Sequence, residues 1–331
     1  MLILEDMFEQ HPYGKLISAY IDQAEFPDRP SDLYDPIRYI LSLSGKRIRP
    51  MLVFMGAKLF GKEDTAEVLP ASIAIEYFHN FSLIHDDIMD KAPLRRGKDT
   101  VHQKWNDNVA ILSGDALLVK AYQELGKCPA DKIGELLVVF NQVALEVCEG
   151  QQMDMDFETM DNVAEGDYIE MIRRKTSVLL GGALQLGAIL ANADKVQQQL
   201  LYDFGVNLGI AFQLQDDFLD VYGDPETFGK QVGGDILCNK KTFLRIKTEE
   251  LATADSRSEL DLLLQGSDIS DDEKVFRMKN LYAQLAVDQY AEDIKQRYTE
   301  LAYNKLDEIA VSDAQKTELR ILADTLMHRK R

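Results

Sequence analysis

Apolar residues return at every third and fourth position through most of the chain, while alternating runs rich in Val, Ile and Thr are scarce. That is the pattern of helices burying one face, not of strands. The spacing predicts helices over residues 34–43, 49–60, 67–91, 104–126, 131–158, 166–191, 195–222, 239–252, 268–310 and 313–329. The breaks are short: Phe26-Pro27-Asp28-Arg29-Pro30, Cys128-Pro129, and the loop from Gly223 to Gly234. No long polar linker divides the chain, so it reads as a single all-α domain over residues 1–331. Within the apolar stretch 164–222, Gly181, Gly182, Gly187, Gly205 and Gly209 interrupt helical patterns. Each costs about 1 kcal/mol relative to alanine, so close helix contact or an open cavity between helices is expected to compensate.

Composition narrows the function. The 331 residues are 46% hydrophobic and 28% charged, enough for a large core, and the formal net charge is −19. Such a chain repels phosphate backbones, so nucleic acid is not an expected partner; an anionic substrate must meet a local group of cations or bound metal ions. Cys128, Cys148 and Cys238 form no CxxC pair, which fits unpaired, buried thiols in a reducing compartment. The first residues carry acids where a signal peptide carries positive charge, and no apolar run approaches the ~18 residues of a membrane span. The expectation is a cytoplasmic protein without a membrane span.

Two acidic boxes carry the chemistry. Asp86-Asp87-Ile88-Met89-Asp90 closes one predicted helix and Asp216-Asp217-Phe218-Leu219-Asp220 another. At 100° per residue, Asp86 and Asp90 stand about 40° apart on one face, with Asp87 about 100° away, and Asp216, Asp220 and Asp217 repeat the arrangement. Solvated surface acids are the plain alternative. Against it, like charges at i,i+4 repel, and carboxylates in a last turn oppose the helix dipole, so both boxes destabilise a helix until a cation binds. An all-carboxylate donor set suits Mg²⁺, with Mn²⁺ as a substitute, and the spacing and central glycine of a calcium loop are absent.

Basic residues flank the acids. Gly45-Lys46-Arg47-Ile48-Arg49-Pro50 lies upstream and Arg95-Arg96-Gly97 downstream of the first box, and Lys175-Thr176, Lys230 and Lys240 surround the second. Guanidinium forks match phosphate oxygens. His79 precedes Asp86 by two turns on nearly the same face and is placed to donate to phosphate; Gln213 can turn its amide oxygen toward a developing cation.

Together these elements resemble the trans-isoprenyl diphosphate synthase, or polyprenyl synthetase, family, whose first motif DDxxDxxxxRRG appears as Asp86–Gly97 and whose second appears as Asp216–Asp220. Asp99 stands where many relatives have proline. The resemblance implies an isoprenoid-synthase-type helical bundle around a deep cavity, a homodimer, and three Mg²⁺ ions on an allylic diphosphate. It implies Asp86, Asp87, Asp90 and Asp216 as metal ligands, with Asp217 and Asp220 close by. Arg95, Lys175, Gln213, Lys230 and Lys240 map onto the allylic site, and Lys46, Arg49, His79 and Arg96 onto an isopentenyl diphosphate site. Asp86, Asp90, Asp216, Lys175, Thr176 and Gln213 are the implied catalytic set. Phe81, roughly 7.5 Å below Asp86 along the helix, and the small Ser82 are the implied chain-length positions. With Tyr77 and Phe78 lower still, the pattern points to a twenty-carbon product, then a fifteen-carbon one. A terpene cyclase, a head-to-head synthase and a non-catalytic regulatory subunit are the alternatives.

Overall fold

The computed structural model describes residues 11–223, 233–265 and 269–327, and these are all-α apart from one short hairpin. The helices are α1 Pro12–Asp22, α2 Ser31–Ser42, α3 Ile48–Leu59, α4 Thr65–Met89, α5 Val101–Lys104, α6 Asp107–Leu125, α7 Ile133–Thr159 and α8 Glu165–Ile172. After a π-helical turn, Arg173–Ser177, come α9 Val178–Leu190, α10 Lys195–Tyr222, α11 Gly234–Leu237, α12 Phe243–Leu251, α13 Ala254–Gln265, α14 Asp271–Gln284, α15 Val287–Glu308 and α16 Asp313–Met327. The hairpin pairs β1 Leu94–Arg95 with β2 Lys98–Asp99.

Two long helices organise the bundle, and each starts on a capped turn. The Asp64 carboxylate accepts from Ala66 N at 3.0 Å to open α4, and Asp194 accepts from Gln197 N at 2.9 Å to open α10. α10 is apolar around much of its circumference, as a helix buried on several sides must be. Leu201, Phe204, Leu208 and Ala211 face a core shared with α1–α4, α6, α7 and α9. Val206, Ile210, Leu214 and Val221 face a second core made with α8 and α12–α15. Both acid boxes therefore end helices rooted in buried packing.

The in-helix glycines mark close contact. The π-turn carrying Lys175 and Thr176 is wedged between α7 and α10: a Cβ on Gly150 would fall on the backbone nitrogen of Lys175, and one on Gly209 would lie 2.7 Å from Ser177 Cα. Ser177 Oγ donates to Ile172 O at 3.1 Å across the bulge. Such bulges recur at functional sites, and here the bulge fixes where two polar side chains emerge.

Several elements differ from the sequence expectation. The predicted helix 268–310 is two helices broken at Ala286, whose φ of 53° is left-handed; no glycine or proline announces that break. α1 and α13 were not predicted; each buries only a short stripe, Ile17 and Ile21 at i, i+4 in one, Leu260 and Leu263 at i, i+3 in the other. All three cysteines are unpaired, but Cys148 and Cys238 are exposed, and only Cys128 is the buried thiol expected of all three. Among the described residues, no helix is long and apolar enough to cross a membrane.

The wedge has a testable consequence. Gly150→Ala forces α7 off the backbone of the π-turn and should destabilise the protein by about 1–3 kcal/mol, read as a fall in Tm. Ala at Gly166, where a Cβ meets nothing within 4 Å, is the matched control and should leave Tm unchanged.

Candidate active site

The two boxes sit at the C-terminal ends of α4 and α10, where exposed carbonyls already favour a cation. In the first box, Asp90 is the cap residue of α4. Desolvation, then the neighbouring Asp86, raise its pKa from the ordinary carboxylate value. Asp87 turns inward, 1% exposed, where Arg95 Nε donates to its Oδ1 at 3.0 Å. Asp87, expected at the metal, is thus already paired with a protein cation.

In the second box, Asp217 is buried and accepts from the Tyr168 hydroxyl, from Gln213 Nε2 at 3.2 Å and from Phe243 N at 3.4 Å. Burial pushes its pKa up to about 7, with Asp235 adding to the rise. Asp220 is an anchor: its Oδ2 accepts from Asp235 N at 3.0 Å and so secures the turn into α11. Asp216 also has interactions within the fold.

Cations tie the boxes together. Lys175 Nζ donates to Asp154 Oδ2 at 2.6 Å and lies 3.4 Å from Asp86 Oδ1. Its neighbour Thr176 donates through Oγ1 to Gln213 Oε1 at 3.3 Å. The π-turn thereby spans from the first box to the helix bearing the second. Desolvation pulls the Lys240 pKa down, but Asp154, Asp235, Asp217 and Asp90 together push it above its ordinary value, so Lys240 feels both boxes at once. Lys230 lies outside the described residues. Sequence reasoning missed Asp154 and Tyr168; a helical glycine, Gly150, one turn before Asp154 was the available signal.

The second group of expected residues gathers on the other side of the hairpin. Arg96 and Gly97 form its two-residue turn, both with positive φ, 53° and 73°, as a type I′ turn requires. Tyr39 donates to Asp99 O at 2.7 Å, so the aspartate found in place of proline is built into the hairpin. Arg95 reaches the acids, while Arg96 Nη1 donates to Leu43 O at 3.2 Å. Arg49 Nη1 meets His79 Nε2 at 3.2 Å. Burial and the arginines around it hold the His79 pKa well below 6.5, so the ring is neutral at pH 7. Lys46 lines a recess of about 490 Å³ together with Lys15 and Asp22 of α1.

Below Asp86, rings form a continuous wall. Phe81 meets His85 edge-on at 4.7 Å between centroids and Phe78 at 5.7 Å; Phe78 meets Phe140 at 5.5 Å. His85 is seated against Gly114 of α6, where no side chain would fit beside its ring. Ser82 donates to His79 O at 2.8 Å and keeps its small side chain folded onto the helix.

The donor chemistry fits a hard divalent ion. Asp86, Asp90 and Asp216 offer oxygen only, and desolvation with the neighbouring Asp86 charge raises the pKa of Asp90, a cost that a bound cation would offset. Among the described residues, no three His, Cys, Asp or Glu side chains already form a closed metal cage; Mg²⁺ typically takes one or two carboxylates and completes its shell with water and phosphate oxygens.

Comparison with known proteins agrees with this geometry. The polyprenyl synthetase family matches residues 30–285. A geranylgeranyl pyrophosphate synthase from Geoglobus acetivorans is 38% identical over 318 residues, 96% of this chain and 97% of that protein. A geranylgeranyl diphosphate synthase from Methanosarcina mazei is 36% identical, covering 95% of each chain. The crystal structure of geranylgeranyl pyrophosphate synthetase from Pyrococcus horikoshii superposes with a TM-score of 0.90 at 33% identity, covering 98% of each chain. With a family match over most of its length and relatives above 30% identity along nearly the whole chain, this protein belongs to the polyprenyl synthetase family.

Proposed function

We propose that this protein is a Mg²⁺-dependent trans-prenyltransferase that condenses isopentenyl diphosphate with allylic diphosphates, ending at twenty carbons. The observation that carries this is the pairing of two aspartate boxes, joined by Lys175 and Lys240, with a separate arginine group around His79. One site suits a diphosphate held with metal, the other a diphosphate held by guanidinium groups. The protein acts as one domain over residues 1–331, in the cytoplasm.

Asp86, Asp90 and Asp216 would hold up to three Mg²⁺ ions, with Asp87, engaged by Arg95, as a supporting carboxylate. Bound Mg²⁺ neutralises the allylic diphosphate and acts as a Lewis acid on its oxygens. Lys175, Arg95, Lys230 and Lys240 orient that diphosphate and stabilise the charge it gains as the allylic C–O bond breaks. The Thr176 hydroxyl and the Gln213 amide oxygen lie beside the carbon that becomes cationic. Lys46, Arg49, His79 and Arg96 hold isopentenyl diphosphate so that its double bond attacks that carbon, forming the new C–C bond. The lost proton goes to the departing diphosphate, and the apolar walls keep water from the cation.

Phe81 is the proposed floor. Its ring is held by His85 on one side and Phe78 on the other, so it resists a growing chain. A homodimer is proposed through α6 and α7, whose Ile111, Leu112, Val119, Val138 and Leu145 are large, apolar and exposed. The two helices form one face, joined where Tyr122 donates to Asn141 Oδ1 at 2.6 Å.

Incubated with isopentenyl diphosphate, Mg²⁺ and five-, ten- or fifteen-carbon allylic diphosphates, the protein should yield a ladder ending at twenty carbons by mass spectrometry; no condensation with any primer would overturn the reading. Chelation by EDTA should stop turnover and added Mg²⁺ restore it, while Asp86→Asn should lower kcat by about 10²–10³. Phe81→Ala should shift the main product beyond twenty carbons. Val138→Glu with Leu145→Glu should halve the mass seen by sedimentation from that of two chains to one.

A further inference from the structure

Four arginines, Arg47, Arg49, Arg95 and Arg96, stand close enough to His79 to depress its protonation. Arg95 is matched by Asp87. Of the other three, Arg47 and Arg96 hold the loop between α2 and α3, and Arg49 follows it in the first turn of α3 against His79. Arg47 Nη2 donates to Leu41 O at 2.7 Å and to Leu43 O at 3.3 Å, and the Arg96 guanidinium lies against Gly45. Arg49 Nε is buried with no hydrogen-bond partner among the described residues.

The carboxylate facing these three is Glu76, one turn before Asn80 on α4. It is 1% exposed and paired with Arg47 Nη1. Asn80 Nδ2 donates to its Oε1 at 2.8 Å. Its charge also reaches Arg49 and Arg96. Arg47 itself sits at φ 47°, a left-handed conformation, at the N-cap of α3. A non-glycine residue holds such a conformation only where its surroundings fix it, and Arg47 is held by its buried pair with Glu76 together with its donations to Leu41 O and Leu43 O. Arg47 and Glu76 have no role in the function proposed above.

We propose that Glu76 is the positioning residue of the isopentenyl diphosphate clamp: through Arg47 it sets the loop so that Lys46 and Arg49 meet the diphosphate together with Arg96. This rests on the assignment of those three residues to that substrate. Two effects of Glu76 oppose each other, which gives the inference a sign. As a bare negative charge it would weaken binding of an anion, so its removal would tighten binding. As a positioning group its removal would loosen binding. Coulomb energy falls as 1/r, and the Glu76–Arg47 pair is in direct contact while a diphosphate lies beyond the arginines, so positioning dominates.

The test is steady-state kinetics of Glu76→Gln, which keeps the shape and the Asn80 contact while removing the charge. KM for isopentenyl diphosphate should rise about tenfold, equivalent to about 1.4 kcal/mol, with KM for the allylic substrate changed less than twofold. Arg47→Met with Glu76→Leu replaces the whole pair by apolar groups, a change buried pairs often tolerate, and should fold with the same selective rise. An unchanged or lowered KM for isopentenyl diphosphate overturns the proposal, as does an equal rise in both KM values. If neither variant accumulates as folded protein, Glu76 belongs to the core and not to the clamp, and the proposal is again overturned. Arg49→Ala separates the two layers: it should raise KM for isopentenyl diphosphate whatever Glu76 does, and if it does not, the substrate assignment has failed and the proposal falls with it.

Discussion

Carboxylates gathered at two helix C-termini repel one another and the carbonyls beside them. Nearly every polar feature of the site answers that repulsion. Arg95 is spent on Asp87, Lys175 is shared between Asp86 and Asp154, and Lys240 stands in the field of both boxes. Asp217 takes another route: it is buried, pushed up to about 7, and held by a tyrosine, an amide and a backbone N–H. At Asp90, desolvation and then the charge of Asp86 raise the pKa against the pull of Lys175 and Lys240. That balance lies where a metal-bound diphosphate is proposed to sit. The packing below serves this arrangement, because only rigid helices hold like charges at fixed separation.

The cation that links the boxes depends on backbone contact. Lys175 and Thr176 emerge from a π-turn rather than from a regular helix, and two glycines, Gly150 and Gly209, let α7 and α10 close on that turn. A regular helix there would carry these side chains to a different azimuth. The glycines that look costly in sequence are thus part of how charge is aimed.

Much of this was legible beforehand, and the reasons differ by feature. The DDxxD spacing places Asp86 with Asp90, and Asp216 with Asp220, on one helical face from geometry alone, while their proposed role as metal ligands comes from the family resemblance. The long helices α4, α7 and α10 were equally plain, because their apolar period persists over many turns. The break at Ala286 was not, since tertiary burial of Leu281, Tyr282 and Val287 on either side imposes it without a glycine or proline. Nor was Asp154 or Glu76: each is an ordinary acid in an amphipathic helix until the fold brings a cation to it from a distant segment. Spacing reveals partners on one helix. It is silent about partners contributed by another.

The hairpin shows why one short motif can serve two sites. Arg95 belongs to a strand and Arg96 to the turn that follows, and the left-handed backbone at Arg96 and Gly97 sends the two guanidinium groups apart. One goes to Asp87 and the acid boxes, the other to the Leu43–Gly45 loop. The two proposed diphosphate sites therefore share a covalent connection while differing in physics, one depending on hard ions and lysines, the other on guanidinium forks beside a neutral His79. In a chain with a net charge of −19, two anions can be held side by side only if each has its own local positive charge. Consecutive arginines on a tight turn supply one to each.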